Sequence, residues 1–397
     1  MMRIRSGLER WLSGGAEAVP ARGGARRVGL LAHTASVDGR ARHAVELLRA
    51  LDSVRLERIF APEHGLWGHE QDMEGVRHSA DPLTGLPVVS LYGADRSTLA
   101  PRPETLDGLD VVVCDLQDVG SRYYTFVYTL SFMMEAAREA NLPIVVLDRP
   151  NPIGGLEVEG PVLQSEWSSF VGRYPIPVRH GLTVGELACL FNDEFGIGCD
   201  LTVVEMEGWR RSMAFEETRL PWVPPSPNMP SPATAHVYPG GCLVEGTNLS
   251  EGRGTTTPFE LVGAPWLDGH ALATALNRVS LDGVRFRAAS FRPMFQKHAG
   301  LGCGGVQIIV DDRATYRPFA SFWELLREAR ALDSDRFAWR TEEYEFETEH
   351  LAIDLLFGRG DLRQMLEQGV PYAEAEPLWS AELAGFIERR EHFLRYR

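Results

Sequence analysis

The stretch "LDVVVCDLQD", residues 109–118, decides the fold because it is a short, almost wholly apolar run that ends on acidic and amide side chains. A run of this length, rich in valine, is typical of a strand that is buried on both faces of a sheet. Similar runs lie on both sides of it and alternate with segments of helical periodicity. The predicted strands are 27–33, 54–64, 86–93, 109–118, 143–152 and 199–206, and the predicted helices are 38–51, 128–142 and 183–196.

This alternation predicts βαβ units, and hence an α/β fold with a Rossmann-like, mostly parallel sheet and helices on both faces. The helix at 183–196 has a start signal, because Thr183 and Glu186 are spaced as a capping box. A proline-rich segment, "LPWVPPSPNMPSP" (220–232), follows the last unit. It excludes a regular helix or a central strand, and it is either a linker or a rigid wall of a cleft.

The pattern changes after the prolines, where strands and helices no longer alternate regularly. The segments 284–295 and 304–312 read as strands, and helices are predicted at 321–332, near 351–357 and at 376–394. A chain of 397 residues is long enough for two or three domains. We therefore predict a Rossmann-like catalytic domain over residues 1–230 and a smaller α+β domain over residues 231–397 that completes the cleft.

Composition and charge exclude several classes of partner. The formal net charge of −15 repels nucleic acid and anionic membranes, so we expect neither as a partner. The N-terminal segment has no long apolar core of a signal peptide, and no stretch approaches the roughly 20 apolar residues of a membrane span. The five cysteines form no CxxC pair, which favours a reducing compartment. The sequence thus predicts a cytoplasmic protein.

The sequence carries no signature of a cofactor or a metal. A dinucleotide-binding fold has G-x-G-x-x-G after its first strand, whereas this chain reads "GLLAHTASVDGRARH" (29–43). A P-loop pattern is also missing, and no two histidines have the spacing of a helical metal-binding pair. We therefore expect neither a nucleotide cofactor nor a metal ion.

Polar side chains at the strand ends are the main candidates for chemistry, because ligands of parallel sheets bind beyond the carboxyl ends of the strands. Glu63 stands between Pro62 and Gly65 in "APEHGLWG" (61–68). Held against an apolar strand and Trp67, its carboxyl is expected to have a raised pKa, as a general acid requires. A helix-capping role is the alternative, and His64 is expected to support Glu63. The other strand-end candidates are Tyr92, Asp115, Gln117, Asp118, Asp148, Arg149 and Asn151.

Further candidates lie in the segments between these strands. Tyr124 and Tyr128 are four residues apart, which would place them on one helical face that could stack on a sugar ring or merely pack beneath a loop. Asp115 and Asp118 are the nearest partners for Glu63 in a two-carboxylate scheme. Arg179 and His180 precede the capped helix. The loop "GTNLSEGRGTT" (246–256) offers Asn248, Glu251 and Arg253 to an anion or a polyhydroxylated ligand, unless it is a plain surface loop.

Several of these segments together resemble a known family. They are "FAPEHGLWG" (60–68), "DLQDVGSRYYTF" (115–126), "VLDRPNPIGG" (146–155), "PSPNMPSP" (225–232) and "EGTNLSEGRGTTTPFELVGAPW" (245–266). In these motifs and their order the chain resembles the exo-β-N-acetylmuramidase family from about residue 27 to near its C-terminus. One departure is "AHTAS" (32–36), which has His33 where many members have asparagine.

The resemblance implies a glycoside hydrolase that removes terminal N-acetylmuramic acid from the non-reducing end of peptidoglycan fragments. It implies a Rossmann-like catalytic domain and a smaller C-terminal domain with the cleft between them. Glu63 matches the glutamate of the family's P-E-H-G motif, which implies that it is the general acid/base. Muramic acid carries a lactyl carboxylate, and local cations must hold this group in an acidic protein; the candidates are Arg122, Arg149, Arg179 and Arg253.

The predicted site follows from these arguments. For the second catalytic carboxylate, Asp118 and Asp115 rank ahead of Glu245 and Glu251. The predicted substrate-binding residues are His64, Gln117, Arg122, Tyr124, Tyr128, Arg149, Asn151, Arg179, His180, Asn228, Asn248, Glu251 and Arg253. A non-catalytic binding protein for carboxylated amino sugars is the alternative, followed by a Rossmann-fold oxidoreductase. The sequence does not determine the stereochemical outcome, the aglycone or the oligomeric state.

Overall fold

A seven-stranded sheet forms the centre of the molecule. The structure, a computed structural model, describes residues 3–14 and 25–397. The strands are β1 (Arg26–Ala32), β2 (Val54–Ala61), β3 (Ser79–Ala80), β4 (Pro87–Ser90), β5 (Val111–Asp115), β6 (Ile144–Leu147), β7 (Glu159–Val162), β8 (Pro177–Arg179), β9 (Leu201–Val204), β10 (Leu261–Ala264), β11 (Val284–Phe291) and β12 (Cys303–Val310). The large sheet has the order β3-β4-β2-β1-β5-β6-β9, and every pairing in it except β3 with β4 is parallel. The predicted mostly parallel α/β sheet is thus confirmed.

Both faces of this sheet are covered. The helices are α1 (Gly7–Leu12), α2 (Ala44–Arg49), α3 (Phe126–Glu139), α4 (Val184–Asp193), α5 (Phe215–Thr218), α6 (Pro232–Gly241), α7 (Gly269–Val279), α8 (Pro318–Leu332), α9 (Ala352–Phe357), α10 (Leu362–Glu367), α11 (Tyr372–Ala375) and α12 (Ser380–Arg390). Val111 and Val113 of β5 face the cluster that contains Leu8 and Trp11 of α1, whereas Val112 faces the cluster that contains α3 and α4. Because successive side chains of a strand point to opposite faces, burial on both faces explains the unbroken apolar run.

Local signals set several element ends. The capping box at the start of α4 is confirmed, with Thr183 accepting from the Glu186 N–H and Glu186 accepting from the Thr183 N–H. The helix predicted over 38–51 is confirmed only over Ala44–Arg49, because Val37 and His43 form a β-bridge and His43 caps α2. The helix predicted over 128–142 begins two residues earlier, at Phe126.

The chain after the proline-rich segment builds a three-stranded antiparallel sheet in the order β10-β12-β11, which packs against α7, and α7 in turn packs against α8. β11 lies within the predicted strand segment 284–295, β12 begins one residue before the predicted segment 304–312, and α8 contains the predicted helix 321–332. The sequence did not predict α6, α7 or β10. Between residues 220 and 231 the structure has neither helix nor strand, as the prolines require. Within the described ranges, no helix combines the length and apolarity that a membrane span needs.

Candidate active site

The strand order places the candidate site. From β1 the chain leads to β2 on one side and later to β5 on the other, so the topology switches at β1, where ligands of such sheets bind. Glu63 follows the end of β2, immediately beside this point. It lies in a small cavity lined by Glu63, His64, Asp72, Tyr123, Tyr124, Thr125, Phe126, Val171, Ser226, Asn228, Met229, Tyr238, Glu245, Arg253, Phe259, Tyr344 and Glu345.

Glu63 is 5% exposed, and both of its carboxyl oxygens accept a hydrogen bond. The Thr125 hydroxyl, just before α3, donates to Oε2 at 2.8 Å, and the Met73 backbone N–H donates to Oε1 at 3.4 Å. These two hydrogen bonds hold the carboxyl of Glu63 just beyond the carboxyl end of β2. Trp67, expected beside Glu63, is not among the residues that line the cavity; its ring lies 4.9 Å from that of His43, and its Nε1 donates to Asp81.

The backbone around Glu63 is strained. His64 has φ 68° and Met73 has φ 60°, a left-handed conformation that residues with a β-carbon rarely adopt. The His64 ring is held by a 2.9 Å hydrogen bond between its Nδ1 and the Glu70 carbonyl. Strain of this kind persists where the surrounding structure enforces it, and it clusters at functional sites.

A cluster of opposite charges closes one side of the cavity. The Arg253 guanidinium forms ion pairs with Glu245 at 2.7 Å, Asp72 at 3.1 Å and Glu251 at 3.3 Å. Burial lowers the pKa of Arg253, but the charges of Asp72, Glu245 and Glu251 together raise it by more than burial lowers it. The pKa of Arg253 therefore lies well above its usual value. Burial also raises the pKa of Glu245, against the opposing effect of Arg253. Lys297 adds a 3.0 Å ion pair to Glu251.

Two other walls are aromatic and proline-rich. The Tyr124 ring lies 4.8 Å from Phe126 and 6.0 Å from Tyr238, measured between ring centroids. The segment 220–232 contributes Asn228, whose side-chain amide donates to Gln71 Oε1 at 3.0 Å. Of the two interpretations of this segment, the structure therefore supports the wall of a cleft.

A turn of the C-terminal half supplies a further carboxyl that the sequence analysis missed. Glu345 is 7% exposed, and its Oε2 accepts a 2.9 Å hydrogen bond from the Tyr92 hydroxyl. Burial, and then the charge of Glu63, raise the pKa of Glu345 well above its usual value. Its surroundings "TEEYEFETEH" (341–350) read as an acidic surface loop. The only available signal was the position of Glu345 between two aromatic residues.

The structure does not bring Asp115 or Asp118, the two first-ranked candidates for the second carboxylate, to this cavity, whereas the lower-ranked Glu245 lines it. Asp115 is fully buried at the end of β5 and forms a bidentate ion pair with Arg149, at 2.6 and 2.7 Å. Asp118 accepts from the Gly120 N–H at 2.7 Å, and its Oδ2 lies 3.3 Å from Nε2 of the buried His180. The ends of these strands are thus occupied by contacts within the protein.

Amide side chains of the predicted site also bind backbone. Gln117 Nε2 donates to the carbonyls of Asp118 and Pro150, and Asn151 donates to the Leu182 carbonyl. His33, which stands where many family members have asparagine, also binds backbone: its Nε2 accepts a hydrogen bond from the Gln117 N–H at 2.9 Å. These groups shape the crevice behind the cavity.

Two predicted arginines and one predicted tyrosine likewise donate to backbone carbonyls within the protein. Arg122 is fully buried and donates to the carbonyls of Pro161, Ile176 and Leu356, while Arg179 donates to the Ile153 carbonyl. Burial lowers the pKa of both guanidinium groups. The shared helical face of Tyr124 and Tyr128 is wrong, because α3 begins at Phe126, after Tyr124. Tyr128 is not among the residues that line the cavity, and its hydroxyl donates to the Arg122 carbonyl at 2.8 Å.

The glycine-rich loop divides between two roles. Asn248 binds the backbone of Arg336 and Ala338, so it joins two segments rather than facing the cavity. Glu251 reaches the site through its ion pairs to Arg253 and Lys297. Of the predicted residues, the cavity lining therefore includes Glu63, His64, Tyr124, Asn228, Glu245 and Arg253.

The cavity is narrow and partly open, with a volume of about 40 Å³. A larger groove of about 720 Å³ lies near Arg27 and α3, and none of the predicted site residues lines it. Within residues 3–14 and 25–397, no group of three or more histidine, cysteine or acidic side chains is arranged to hold a metal ion.

Comparison with known families accounts for nearly the whole chain. The family model described as the N-terminal part of exo-beta-N-acetylmuramidase NamZ matches residues 28–233, and the model of its C-terminal part matches residues 236–396. A curated relative, the peptidoglycan beta-N-acetylmuramidase NamZ of Bacillus subtilis (strain 168), is 44% identical over 371 residues. That match covers 94% of this chain and 87% of the relative.

Solved structures show the same fold. A DUF1343 family protein from Bacteroides fragilis NCTC 9343 superposes with a TM-score of 0.90 at 33% identity, over 100% of both chains. A second DUF1343 family protein from the same organism gives a TM-score of 0.78 at 27% identity, over 100% of this chain and 99% of the other. The arrangement of a parallel sheet with a smaller C-terminal part is therefore shared with experimentally determined structures.

Proposed function

Because this chain belongs to the exo-β-N-acetylmuramidase NamZ family, it is a glycosidase that acts on peptidoglycan, and we propose that Glu63 is the general acid/base of its reaction. The observation that carries the proposal is the position of one buried carboxyl, fixed by Thr125 and Met73, at the switch point of the sheet. Glycosidases typically protonate the leaving oxygen with a carboxylic acid of this kind.

In the proposed reaction, Glu63 donates its proton to the glycosidic oxygen while the bond from that oxygen to C1 breaks. The electron pair of the bond remains on the oxygen, which leaves as a neutral hydroxyl group. A water molecule then supplies the new hydroxyl at C1, and one of its protons restores the acid. N-acetylmuramic acid at the non-reducing end is the proposed glycone.

Arg253 is the proposed partner of the lactyl carboxylate of that sugar. Among the four arginines predicted for this task, it is the one that lines the cavity with Glu63. Its Nε lies 3.3 Å from Glu251 Oε1 but makes no hydrogen bond within the described structure, although the atom is buried. Guanidinium groups bind carboxylates through such N–H donors. Tyr124 and Tyr238 offer ring faces and edges to the sugar itself.

Hydrolysis of para-nitrophenyl β-N-acetylmuramide tests the assignment of Glu63. We expect Glu63→Gln to lower kcat by about 10²- to 10⁴-fold, the range that a general acid contributes. Glu74→Gln is the matched control, because Glu74 is an exposed carboxylate of the loop that follows Glu63. Full activity of Glu63→Gln would show that another group is the acid.

We also propose that the natural substrates are muramic acid-terminated disaccharides or fragments and that the protein meets them in the cytoplasm. The five cysteines are free thiols, and four of them are buried, which suits a reducing compartment. Fractionation of the native host, together with product analysis on fragments and on intact wall, tests both points. Recovery of the protein outside the cell would contradict the location.

A further inference from the structure

The turn at Tyr344–Glu347 contributes Tyr344 and Glu345 to the lining of the cavity that contains Glu63. Tyr344 and Glu347 exchange backbone hydrogen bonds at 3.1 and 3.0 Å, which leaves Glu345 and Phe346 as the two central residues. Tyr344 anchors the turn, because its hydroxyl donates to Glu245 Oε2 at 2.8 Å. The Phe346 ring packs 5.2 Å from that of Tyr92.

Both central residues have an unfavourable backbone conformation. Glu345 has φ 50° and Phe346 has φ 65°, and two-residue turns with positive φ at both positions strongly prefer asparagine and glycine. A β-carbon makes the left-handed conformation costly, so residues of this size there require compensation. Phe346 has an aromatic contact that compensates. Glu345 instead places a carboxyl in a buried site, with one hydrogen bond from Tyr92.

The carboxyl of Glu345 faces an acidic environment. Glu63, Asp72 and Glu245 line the same cavity, with Arg253 as the one cation of that lining. Because Arg253 already pairs with Asp72 and Glu245, it does not neutralise the carboxyls of Glu63 and Glu345. Two neighbouring buried carboxyls cannot both ionise easily, so such a pair holds one proton.

We propose that Glu345 is the second catalytic carboxyl and that it shares one proton with Glu63. The proposal rests on the proposed function of Glu63 and adds the partner that the reaction needs. Burial, and then the charge of Glu63, raise the pKa of Glu345 well above its usual value, which is the direction that a neighbouring carboxylate produces.

The shared proton accounts for the complete reaction. Glu63 gives the proton to the glycosidic oxygen, the C1–O bond breaks, and its electron pair stays on the leaving oxygen. Glu345 is then ionised and stabilises the positive charge that develops at C1. Water forms the new bond to C1 and passes one proton by way of Glu345 to Glu63, so the pair ends with the single proton with which it began.

Steady-state kinetics of Glu345→Gln on a muramic acid-terminated disaccharide test this inference. We expect kcat to fall at least about 100-fold while KM changes less than about threefold. Glu343→Gln is the control, because Glu343 is exposed on the same segment. Glu345→Gly is the second variant: it relieves the left-handed backbone, so it should lose kcat while its thermal midpoint stays equal or rises.

The outcomes separate the two proposals. If Glu345→Gln keeps kcat within about threefold of the wild type while Glu63→Gln is inactive, the inference fails and the assignment of Glu63 stands. If Glu63→Gln remains active, the proposed function of Glu63 fails. A loss of kcat that is matched by a lower thermal midpoint in both Glu345 variants would assign a structural role to Glu345 and overturn the inference.

Discussion

Asp115 provides the sharpest test of which strand-end carboxylates are structural. We predict that Asp115→Asn destabilises the fold without removing the catalytic chemistry. Asp115 and Arg149 are only 0% and 4% exposed at the side chain, and two hydrogen bonds of 2.6 and 2.7 Å join them. The asparagine would leave the Arg149 guanidinium buried without its counter-charge.

The magnitude follows from this burial. An exposed ion pair contributes about 0–1 kcal/mol, but the loss of one partner from a buried pair costs about 3–5 kcal/mol. The expected loss lies within that range, because the asparagine offers Arg149 one neutral amide oxygen in place of two carboxylate oxygens, beside the Val37 carbonyl at 2.9 Å. A domain is typically stable by about 5–15 kcal/mol, so the variant should still fold at low temperature.

Urea unfolding and kinetics on the same preparation provide the measurement. We expect a lower unfolding midpoint for Asp115→Asn, with kcat per folded molecule within about threefold of the wild type. The double variant Asp115→Leu/Arg149→Met should recover much of the stability, because it removes both buried charges. The reasoning would be refuted by an Asp115→Asn protein of wild-type stability whose kcat is as low as that of Glu63→Gln.

Two further predictions concern the cavity. Thr125→Val removes the 2.8 Å hydrogen bond to Glu63 at nearly constant side-chain shape, so kcat/KM should fall about tenfold or more. Thr125→Ser keeps the hydroxyl and should retain activity. Equal activity of the two variants would contradict the role of this hydrogen bond. Burial, and then the charge of Glu63, raise the pKa of Glu345 above the usual 4.5. The hydrogen bond from Tyr92 lowers this pKa, and the charges of Glu245 and Asp72 raise it further. The protonated carboxyl therefore favours the fold below pH 4.5, and that contribution is lost as pH rises through the folded-state pKa. Urea unfolding should show Glu345→Gln gaining free energy of unfolding relative to the wild type above pH 4.5, and a pH-independent difference would contradict the shift.

Sequence patterns predicted the frame of the molecule because they act locally. The valine run of β5 is buried on both faces, and the capping box of α4 forms within four consecutive residues. Glu63 could be singled out since it follows a buried strand directly, and parallel strands end at one edge of the sheet. The division at residues 230 and 231 stays a prediction.

The neighbours of Glu63 could not be predicted in this way. Asp115, Asp118 and Glu63 all follow strands of the same sheet, yet only Glu63 lines the cavity, because buried cationic and histidine partners engage the other two. The pattern gives the end of a strand but not the partner that a side chain meets there. Glu345 shows the converse case, since its segment reads as solvated loop.

The sequence by itself determined the sheet, the capped helix, the family and the carboxyl at position 63. Tertiary structure alone decided which charges pair, because pairing depends on contacts between residues far apart in the chain. It alone brought Glu345 from the C-terminal half onto the cavity through the Tyr92 hydroxyl. Periodicity records which face of an element is buried, whereas the protonation of a buried carboxyl depends on every charge around it.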